Sequence, residues 1–381
     1  MHDRSALDSA DVSDAELAEM VADLLGAGDA AVGLVSSVAE PVPYDLPAIT
    51  TGGRWWVRGR ASVEGHAHDF TLFVKQVHEW SRSPLFAFVP PEVQPWAARQ
   101  VPWRTEGAVY RSDLAARLPA GLAMPRALGV RDLDELSYAV WLEVVAADDS
   151  TWDLARYRRA AYLLGRFAAS ERVREIATVG GHEWDVTQYV EGRLRFQVLP
   201  ALADDGLWRH PLVALAFGGL RPRLEAAAAE VDAIAAELMT LPVLAGHGDA
   251  CPNNLLVRPD RDGFTLIDFG FFTELPIGFD LGQLLVGDVQ IGRRSAEDLA
   301  ERDEACLASY LEGLAAEGLA VDDETTRVVR RAHALQLVLF TGLSALPLEL
   351  LDAEPDAQLR AMAATRAAIA RYTLDLLDQT G

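Results

Sequence analysis

The rarest residues of this chain stand at positions where they could do chemistry. Of 34 Lys and Arg residues only one is a lysine, Lys75, and the only asparagines are the neighbours Asn253 and Asn254. Lys75 ends an apolar, strand-like run, and Asn254 follows Asp249 five residues later. Because every other fixed positive charge is an Arg, Lys75 indicates a site that needs a compact ammonium group. ATP-dependent phosphoryl transfer uses such a lysine together with an Asp and an Asn at this spacing.

The segment 247–254 and the later Asp268 form the most specific pattern. In His247-Gly-Asp249, the carboxylate of Asp249 could accept the proton of an attacking hydroxyl group. Asn254 lies across the same tight loop, where its amide oxygen could bind Mg²⁺, and Asp268 could bind the same metal between the phosphates. The alternative is that Asp249 and Asn254 only satisfy backbone groups of the loop. The spacing favours the base and metal roles.

With these motifs the chain resembles the aminoglycoside phosphotransferase and choline kinase group of small-molecule kinases, over residues 32–345 and most closely over 247–270. The resemblance implies an α+β, protein-kinase-like fold of two lobes. The small N-lobe would hold an antiparallel five-stranded sheet, the larger C-lobe would be mainly helical, and ATP and Mg²⁺ would bind between them. Asp249 would be the catalytic base, with Asn254 and Asp268 as metal ligands. The residues between Asp249 and Asn254 differ from those most common in this loop of the family, so the resemblance does not identify the substrate.

Lys75 then takes the role of the third-strand lysine that contacts the α- and β-phosphates of ATP. An acidic residue on the next helix should pair with it, and Glu106 is the best candidate. Glu92 is the rival, but it lies between Pro91 and Pro95, where a helix is disfavoured. The alternatives are a solvated lysine at a strand end and an exposed acid on a helix.

Two further stretches are predicted to contact the nucleotide. A glycine-containing segment could form the loop over the phosphates, because glycines let backbone amides approach closely; a plain hairpin turn has the same composition. The lobe-joining segment 141–145 is expected to be an extended hinge whose backbone faces the adenine edge. The predicted nucleotide contacts are therefore Thr50, Thr51, Gly52, Gly53, Glu143 and Val145, in addition to Lys75 and Glu106.

Two residues are predicted to support the catalytic loop without reacting. Asp280 precedes a helical pattern, so it could be the N-cap of that helix. The resemblance implies instead a carboxylate that holds the backbone of the catalytic loop, and both roles are compatible. His247 is expected to be a packed loop residue and not an acid or a base.

Length and pattern set the domain plan. A chain of 381 residues is too long for one ordinary domain, so two lobes are expected. We predict a helical N-terminal extension over 1–31, with a capping box at Ser13 and Glu16. An N-lobe with an ATP-binding sheet and a helix should cover 32–146. A helical C-lobe with the catalytic loop and the substrate site should cover 147–381.

Periodicity and turn residues predict the individual elements. Strands are expected at 32–42, 55–63, 70–77, 127–130, 138–145, 255–257 and 264–267, the last two joined by a turn at 260–263. Helices are expected at 103–118, 156–170, 220–239, 280–287, 296–317, 324–345 and 355–378.

The net charge limits the partners. A formal charge of -23 repels nucleic acids and anionic lipids, so neither is an expected partner. No apolar run is expected to span a membrane, and the N-terminus lacks the pattern of a secretory signal. Cys251 and Cys306 are expected to be free thiols in a reducing cytoplasm. The acidic surface suits a cationic substrate, although acidic balance also serves solubility.

The substrate is expected to be a small molecule with a hydroxyl group, such as an aminoglycoside or other antibiotic, an amino sugar or a related alcohol. The alternative is a primary metabolite such as choline, homoserine or a sugar. Nine residues separate Gly270 from Asp280, too few for the peptide-docking segment of a protein kinase; a non-catalytic nucleotide-binding protein is the remaining alternative. The oligomeric state is open. Side chains that could bind a cationic alcohol are Asp185, Glu191, Asp204, Asp205, Asp288, Trp184, Tyr189 and Trp208.

Overall fold

The structure is a computed structural model that describes residues 2–28, 30–43, 48–148, 152–183, 185–258, 262–351 and 353–381. Trp184 and the first half of the predicted turn at 260–263 lie outside these residues. The predicted α+β architecture is confirmed, because a mainly antiparallel sheet forms the N-terminal part and helices dominate the C-terminal part.

The N-lobe is built on one six-stranded sheet in the order β1-β2-β3-β4-β7-β6. The sheet therefore has one strand more than the five that were predicted. The additional strand β1 comes from the N-terminus and runs parallel to β2, where it covers part of an otherwise open edge. The strands are β1 (His2–Asp3), β2 (Val32–Pro41), β3 (Thr51–Val63), β4 (His66–His78), β5 (Leu122–Ala123), β6 (Ala127–Asp134), β7 (Ser137–Glu143), β8 (Val243–Gly246), β9 (Leu255–Val257), β10 (Phe264–Leu266) and β11 (Thr273–Pro276).

The N-terminal extension packs directly on this sheet. Its helix α1 (Asp14–Leu25) begins with the predicted capping box: the Glu16 N–H donates to Ser13 Oγ at 3.2 Å, and the Ser13 N–H donates to Glu16 Oε2 at 2.9 Å. Leu17 and Val21 of α1 are fully buried in one hydrophobic cluster with residues of β3, β4 and β7. The extension therefore completes the core on the outer face of the N-lobe sheet.

The helix predicted at 103–118 is two shorter helices. Ser112 separates them because its backbone is extended, and its hydroxyl accepts the N–H of Leu114 at 3.2 Å. Similarly, the helix predicted at 220–239 is interrupted at Glu230. The helices of the N-lobe after α1 are α2 (Gln94–Ala97), α3 (Thr105–Arg111) and α4 (Leu114–Arg117).

The C-lobe contains most of the helices. The largest hydrophobic cluster lies mainly in this lobe and extends into the N-lobe through Val109, Tyr138 and Val140. The helical stretch Asp323–Leu350 is long and apolar enough to span a membrane, contrary to the sequence expectation, but most of its apolar window is buried inside the protein as in a core helix. The C-lobe helices are α5 (Leu154–Ala169), α6 (Glu171–Arg174), α7 (Val186–Tyr189), α8 (Leu199–Ala203), α9 (Asp205–Arg209), α10 (Pro211–Phe217), α11 (Arg221–Ala229), α12 (Val231–Met239), α13 (Phe279–Gln290), α14 (Leu299–Ala316), α15 (Asp323–Leu337) and α16 (Ala357–Thr380), with π-helical turns at Val190–Val198 and Val338–Gly342.

Candidate active site

The catalytic loop lies between β8 and β9, and helix α13 holds its first residues. Asp280 is buried, and its two carboxylate oxygens accept the N–H groups of His247 and Gly248, each at 2.8 Å. The N-cap of α13 is Gly278, so the interpretation of Asp280 as N-cap is wrong. Burial raises the pKa of Asp280, while these two hydrogen bonds and His247 act against the shift. Asp280 thus fixes the loop backbone through both of its carboxylate oxygens.

Gly248 and His247 give the loop its sharp turn. Gly248 has a left-handed φ of +83°, and a Cβ there would collide with the backbone of Phe271. His247 is fully buried. Its Nδ1 accepts the N–H of Asp249 at 3.3 Å, and its Nε2 lies 3.0 Å from the carbonyl oxygen of Ile267. Both ring nitrogens thus contact backbone groups beside the loop, which fits a supporting residue.

Asp249 and Asn254 contact each other across the loop. The amide nitrogen Nδ2 of Asn254 donates to the Asp249 carbonyl at 2.9 Å and to Asp249 Oδ2 at 3.0 Å. The amide oxygen of Asn254 is then the group that could bind a cation. Burial raises the pKa of Asp249, and the Asp268 carboxylate raises it further, against the opposing effects of His247 and Asn254.

Asp268 follows β10 with a left-handed backbone, φ 63° and ψ 60°. This conformation is uncommon for residues other than glycine, and such strain is concentrated at functional sites. Its carboxylate accepts a hydrogen bond from Lys75 Nζ at 2.9 Å. Burial would raise the pKa of Asp268, but the Lys75 ammonium outweighs this effect and lowers it. Asp268 therefore remains a carboxylate at the mouth of the cleft.

Lys75 joins the two lobes. Its ammonium group donates to Glu106 Oε2 of α3 at 2.6 Å and to Asp268 of the C-lobe at 2.9 Å. Both Lys75 and Glu106 are buried. Burial lowers the pKa of Lys75, but the carboxylates of Asp268 and Glu106 raise it by more, so the side chain stays charged. The structure thus brings Lys75, Glu106, Asp268, Asp249 and Asn254 into one cleft.

The other predicted nucleotide contacts lie at the beginning of β3 and around the end of β7. Thr51, Gly52 and Gly53 belong to strand β3, opposite Val77 and Gln76 of β4, so the prediction that they form a free loop is corrected. A side chain on Gly53 would collide with the ring of Trp55, which explains a glycine inside a strand. Thr50 stands just before the strand, and its carbonyl oxygen accepts the N–H of His78 at 2.8 Å.

The predicted hinge begins where β7 ends. Glu143 is the last residue of β7, and its carboxylate accepts the Arg126 N–H at 3.0 Å. Val145 is half-buried in an irregular segment. At the end of this segment, the Asp148 N–H donates to the Val257 carbonyl of the C-lobe at 2.8 Å. The chain therefore crosses between the lobes directly beside the cleft.

Strand register reveals cleft residues that sequence reasoning missed. Arg54 of β3 pairs with Lys75 of β4, and Trp56 pairs with Phe73, so all four side chains lie on one face of the sheet. The Trp56 and Phe73 rings are 5.1 Å apart. Alternation from Lys75 could have found Phe73, but no pattern in one sequence specifies the partner strand. We name the cross-strand sets the hinge row (Trp56, Phe73 and Leu142) and the lysine row (Arg54, Lys75 and Val140).

Most of the predicted substrate side chains have local structural roles. Asp185 and Asp204 are N-caps of α7 and α9. Trp208 is buried in the C-lobe core. The remaining contacts are ion pairs of Asp205 with Arg221 and of Glu191 with Arg195, and a hydrogen bond of Tyr189 with Ser344. Asp288 is half-buried on α13, and burial raises its pKa against the opposing effects of Arg293, Arg294 and Tyr157.

A metal at this site would need the nucleotide. Among the residues that the structure describes, no cluster of His, Cys, Asp or Glu forms a metal site by itself. Asn254 and Asp268 offer one amide and one carboxylate oxygen, which is the donor type that Mg²⁺ prefers. Mg²⁺ is commonly held by one or two protein oxygens together with phosphate oxygens and water, so this pair fits a metal that arrives with ATP.

Comparison with known sequences decides the family. A profile of the phosphotransferase enzyme family matches residues 63–316, more than half of the chain. The chain belongs to this family. The predictions of the family and of ATP-dependent phosphotransfer to a small molecule are thereby confirmed for this phosphotransferase. No match was found among curated proteins.

Several solved structures are similar to this chain at low sequence identity. An aminoglycoside phosphotransferase from Alicyclobacillus acidocaldarius subsp. acidocaldarius is similar with a TM-score of 0.51 and 17% identity, covering 89% of this chain and 97% of that one. Amicoumacin kinase hAmiN has a TM-score of 0.48 and 14% identity, with 90% and 88% covered. The ethanolamine kinase of Plasmodium vivax has a TM-score of 0.45 and 10% identity, with 88% and 83% covered. The protein-kinase-like fold of the phosphotransferase is confirmed by the first of these.

Proposed function

We propose that this phosphotransferase transfers the γ-phosphoryl group of ATP to a hydroxyl group of a small molecule, with Asp249 as the base. Five of the predicted site residues lie close together in the cleft, which supports this function. Lys75 contacts Glu106 and Asp268 at 2.6 and 2.9 Å, and Asp249 contacts Asn254 at 3.0 Å in the adjoining loop. These residues include the kinds of group that phosphoryl transfer requires: a lysine with an acidic partner, a base and two possible metal ligands.

The reaction proceeds by in-line displacement. The acceptor oxygen forms a bond to the γ-phosphorus while the bond to the β–γ bridging oxygen breaks and ADP leaves. The acceptor proton passes to the carboxylate of Asp249, and the raised pKa of this group makes it a better base than an exposed aspartate. Lys75 holds the α- and β-phosphates as a point charge, and Glu106 fixes its position.

Asn254 and Asp268 would hold the divalent metal, which we propose to be Mg²⁺. When bound, the ion neutralises charge on the phosphates. The strained backbone of Asp268 aims its carboxylate into the cleft, and Asp280 keeps the catalytic loop in register without entering it.

The acceptor we propose is an antibiotic, aminoglycosides included, an amino sugar or a related alcohol. The net charge of -23 favours a cationic acceptor. A primary metabolite such as choline, homoserine or a sugar is the alternative. We also propose a cytoplasmic location, where the free thiols Cys251 and Cys306 remain reduced.

A screen of acceptors tests this function. The purified protein is incubated with ATP, Mg²⁺ and one member of a panel of aminoglycosides, other antibiotics, amino sugars, choline, homoserine and sugars. We expect ADP to form in step with a phosphorylated product for one chemical class, and not in Asp249→Asn. The control is Asp232→Asn, an exposed aspartate of the C-lobe that pairs with Arg195. ADP formation with no phosphorylated product for any acceptor would contradict the proposal.

A further inference from the structure

On the cleft face of the N-lobe sheet, an aromatic row is followed by a cationic row, as the base of a nucleotide is followed by its phosphates. The hinge row lies near the end of β7, where the chain crosses to the C-lobe. On each strand the lysine row is two residues away from the hinge row, on the side away from this crossing. Two residues of a strand span about 7 Å. A nucleotide whose base lies under the aromatic rings of the hinge row therefore reaches the lysine row with its phosphates.

The lysine row contains a second cation, Arg54, directly opposite Lys75. We propose that Arg54 is a phosphate-binding residue that contacts the β- or γ-phosphate of a bound nucleoside di- or triphosphate. This inference rests on the proposed function, since it assumes that the cleft binds ATP. The sequence alone did not single out Arg54, because all but one of the Lys and Arg residues are Arg.

The charge balance of the cleft explains why a second cation is needed. Lys75 is in contact with two carboxylates, so its positive charge is already compensated. Asp249 adds a further carboxylate, and a nucleoside triphosphate brings several more negative charges. The cross-strand pairing places Arg54 beside Lys75, and the Arg54 charge acts to lower the pKa values of Glu106 and Asp268. A metal ion and Arg54 together could offset the charge that Lys75 alone cannot.

The chemistry of the side chain suits this role. A guanidinium group presents N–H donors in a planar fork that matches two phosphate oxygens. Arg54 is half-buried at the beginning of a strand. It already interacts within the protein, so phosphate oxygens would compete with that interaction. Lys75 supplies a point charge, and Arg54 supplies directed hydrogen bonds.

Binding measurements without a divalent metal separate this role from a structural one. The affinities of ATP, ADP and adenosine are measured by calorimetry for the wild type, Arg54→Gln and Arg54→Lys. The control is Arg60→Gln, because Arg60 lies on the same strand and face but is exposed and paired with Asp69. Arg54→Gln should lower the affinity for ATP and ADP by about tenfold to a hundredfold, as expected for hydrogen bonds to a charged group. Adenosine affinity should not change.

Arg54→Lys should recover part of the lost affinity, and Arg60→Gln should bind all three ligands as the wild type does. The inference is overturned if Arg54→Gln keeps the wild-type affinity for ADP. It is also overturned if the affinities for ADP and adenosine fall by the same factor, since that result indicates a role in holding the strand. A wild type that binds ADP but phosphorylates no hydroxyl compound removes the proposed function and leaves the role of Arg54 intact. A wild type that binds no ADP removes both.

Discussion

Lys75 shows how one side chain can depend on its exact chemical type. Its ammonium group touches two carboxylates from different lobes, at 2.6 and 2.9 Å, and it is almost completely buried. A tetrahedral ammonium can donate to both acids and still turn a third hydrogen towards a phosphate. The use of the only lysine of the chain at this position follows from that geometry.

We therefore expect Lys75→Arg to lose activity although the charge is kept. The wider, planar group cannot occupy the space between Glu106 and Asp268 without displacing one of them. The loss of one such charged contact lowers the rate by about a hundredfold. Steady-state kinetics of Lys75→Arg and Glu106→Gln give the test, with Arg60→Lys as a control for a surface exchange. Near-normal efficiency of both cleft variants would mean that Lys75 is only a residue at the end of a strand.

The protonation of Asp249 is a second property that can be measured on the free protein. Burial raises its pKa above the ordinary value of 3.8, so the carboxylate takes up a proton at higher pH than an exposed aspartate does. Below the raised pKa the base is protonated and inactive, and above it the base is competent. Asp134 is a contrast, because its hydrogen bond to Arg82 lowers its pKa to about 2.

Carbon NMR of the carboxyl groups tests this order. The resonance that disappears in Asp249→Asn should titrate above pH 3.8, and the one that disappears in Asp134→Asn should titrate well below it. If Asp249 titrates at or below its ordinary pKa, burial does not prepare it as a base.

Helix α13 positions the catalytic loop through several contacts along its length. Asp280 accepts two loop N–H groups at its beginning, and a Cβ on Gly287 in its middle would collide with the Cβ of Cys251. Just beyond its end, Arg293 donates a hydrogen bond to Asn253. The loop thus lies along one side of the helix and is fixed at both ends.

Asp280→Ala should disturb this arrangement more than the fold. Two buried N–H groups lose their acceptor, and each costs about 1 to 3 kcal/mol. Because the base shifts while Lys75 and Asp268 stay in place, turnover should fall at least tenfold with little change in ATP affinity. The control is Gln283→Ala, one turn further along the same helix. An Asp280→Ala enzyme with normal turnover would show that the loop keeps its shape without the helix.

These elements also show what one sequence can and cannot predict. The pairing of Lys75 with Glu106 could be anticipated, because the types and order of the residues are specific. Strand partners could not, since they depend on register between segments, and Arg54 was missed for that reason. Thr51 to Gly53 read as a loop from composition, whereas the ring of Trp55 fills the space beside Gly53 in a strand. The breaks at Ser112 and Glu230 depend on local backbone geometry that helical periodicity does not encode.

The two lobes are joined by buried charge, by a hinge and by a shared hydrophobic cluster, and the N-terminal extension stabilises the smaller lobe. Leu17 and Val21 of α1 are fully buried against the outer face of the sheet whose inner face carries Lys75. A short strand from the same extension pairs with β2. The extension is therefore expected to matter for stability and not for the chemistry.

Leu17→Ala should destabilise the protein by about 2 to 5 kcal/mol, as is typical of a large-to-small change in a core. ADP affinity below the unfolding transition should stay unchanged, because α1 and the cleft lie on opposite faces of the sheet. Thermal unfolding and ADP binding are compared with Glu19→Ala, an exposed change on the same helix. Loss of ADP affinity in fully folded Leu17→Ala would place the extension in the site itself.

Asp249 as the base of a small-molecule kinase can be tested by one paired measurement. Once an acceptor is known, phosphorylated product and ATP affinity are measured on the wild type and on Asp249→Asn. We predict that the variant loses phosphoryl transfer and binds ATP as the wild type does, because Asp249 meets the acceptor hydroxyl and not the nucleotide. Turnover of Asp249→Asn within tenfold of the wild type would contradict the account.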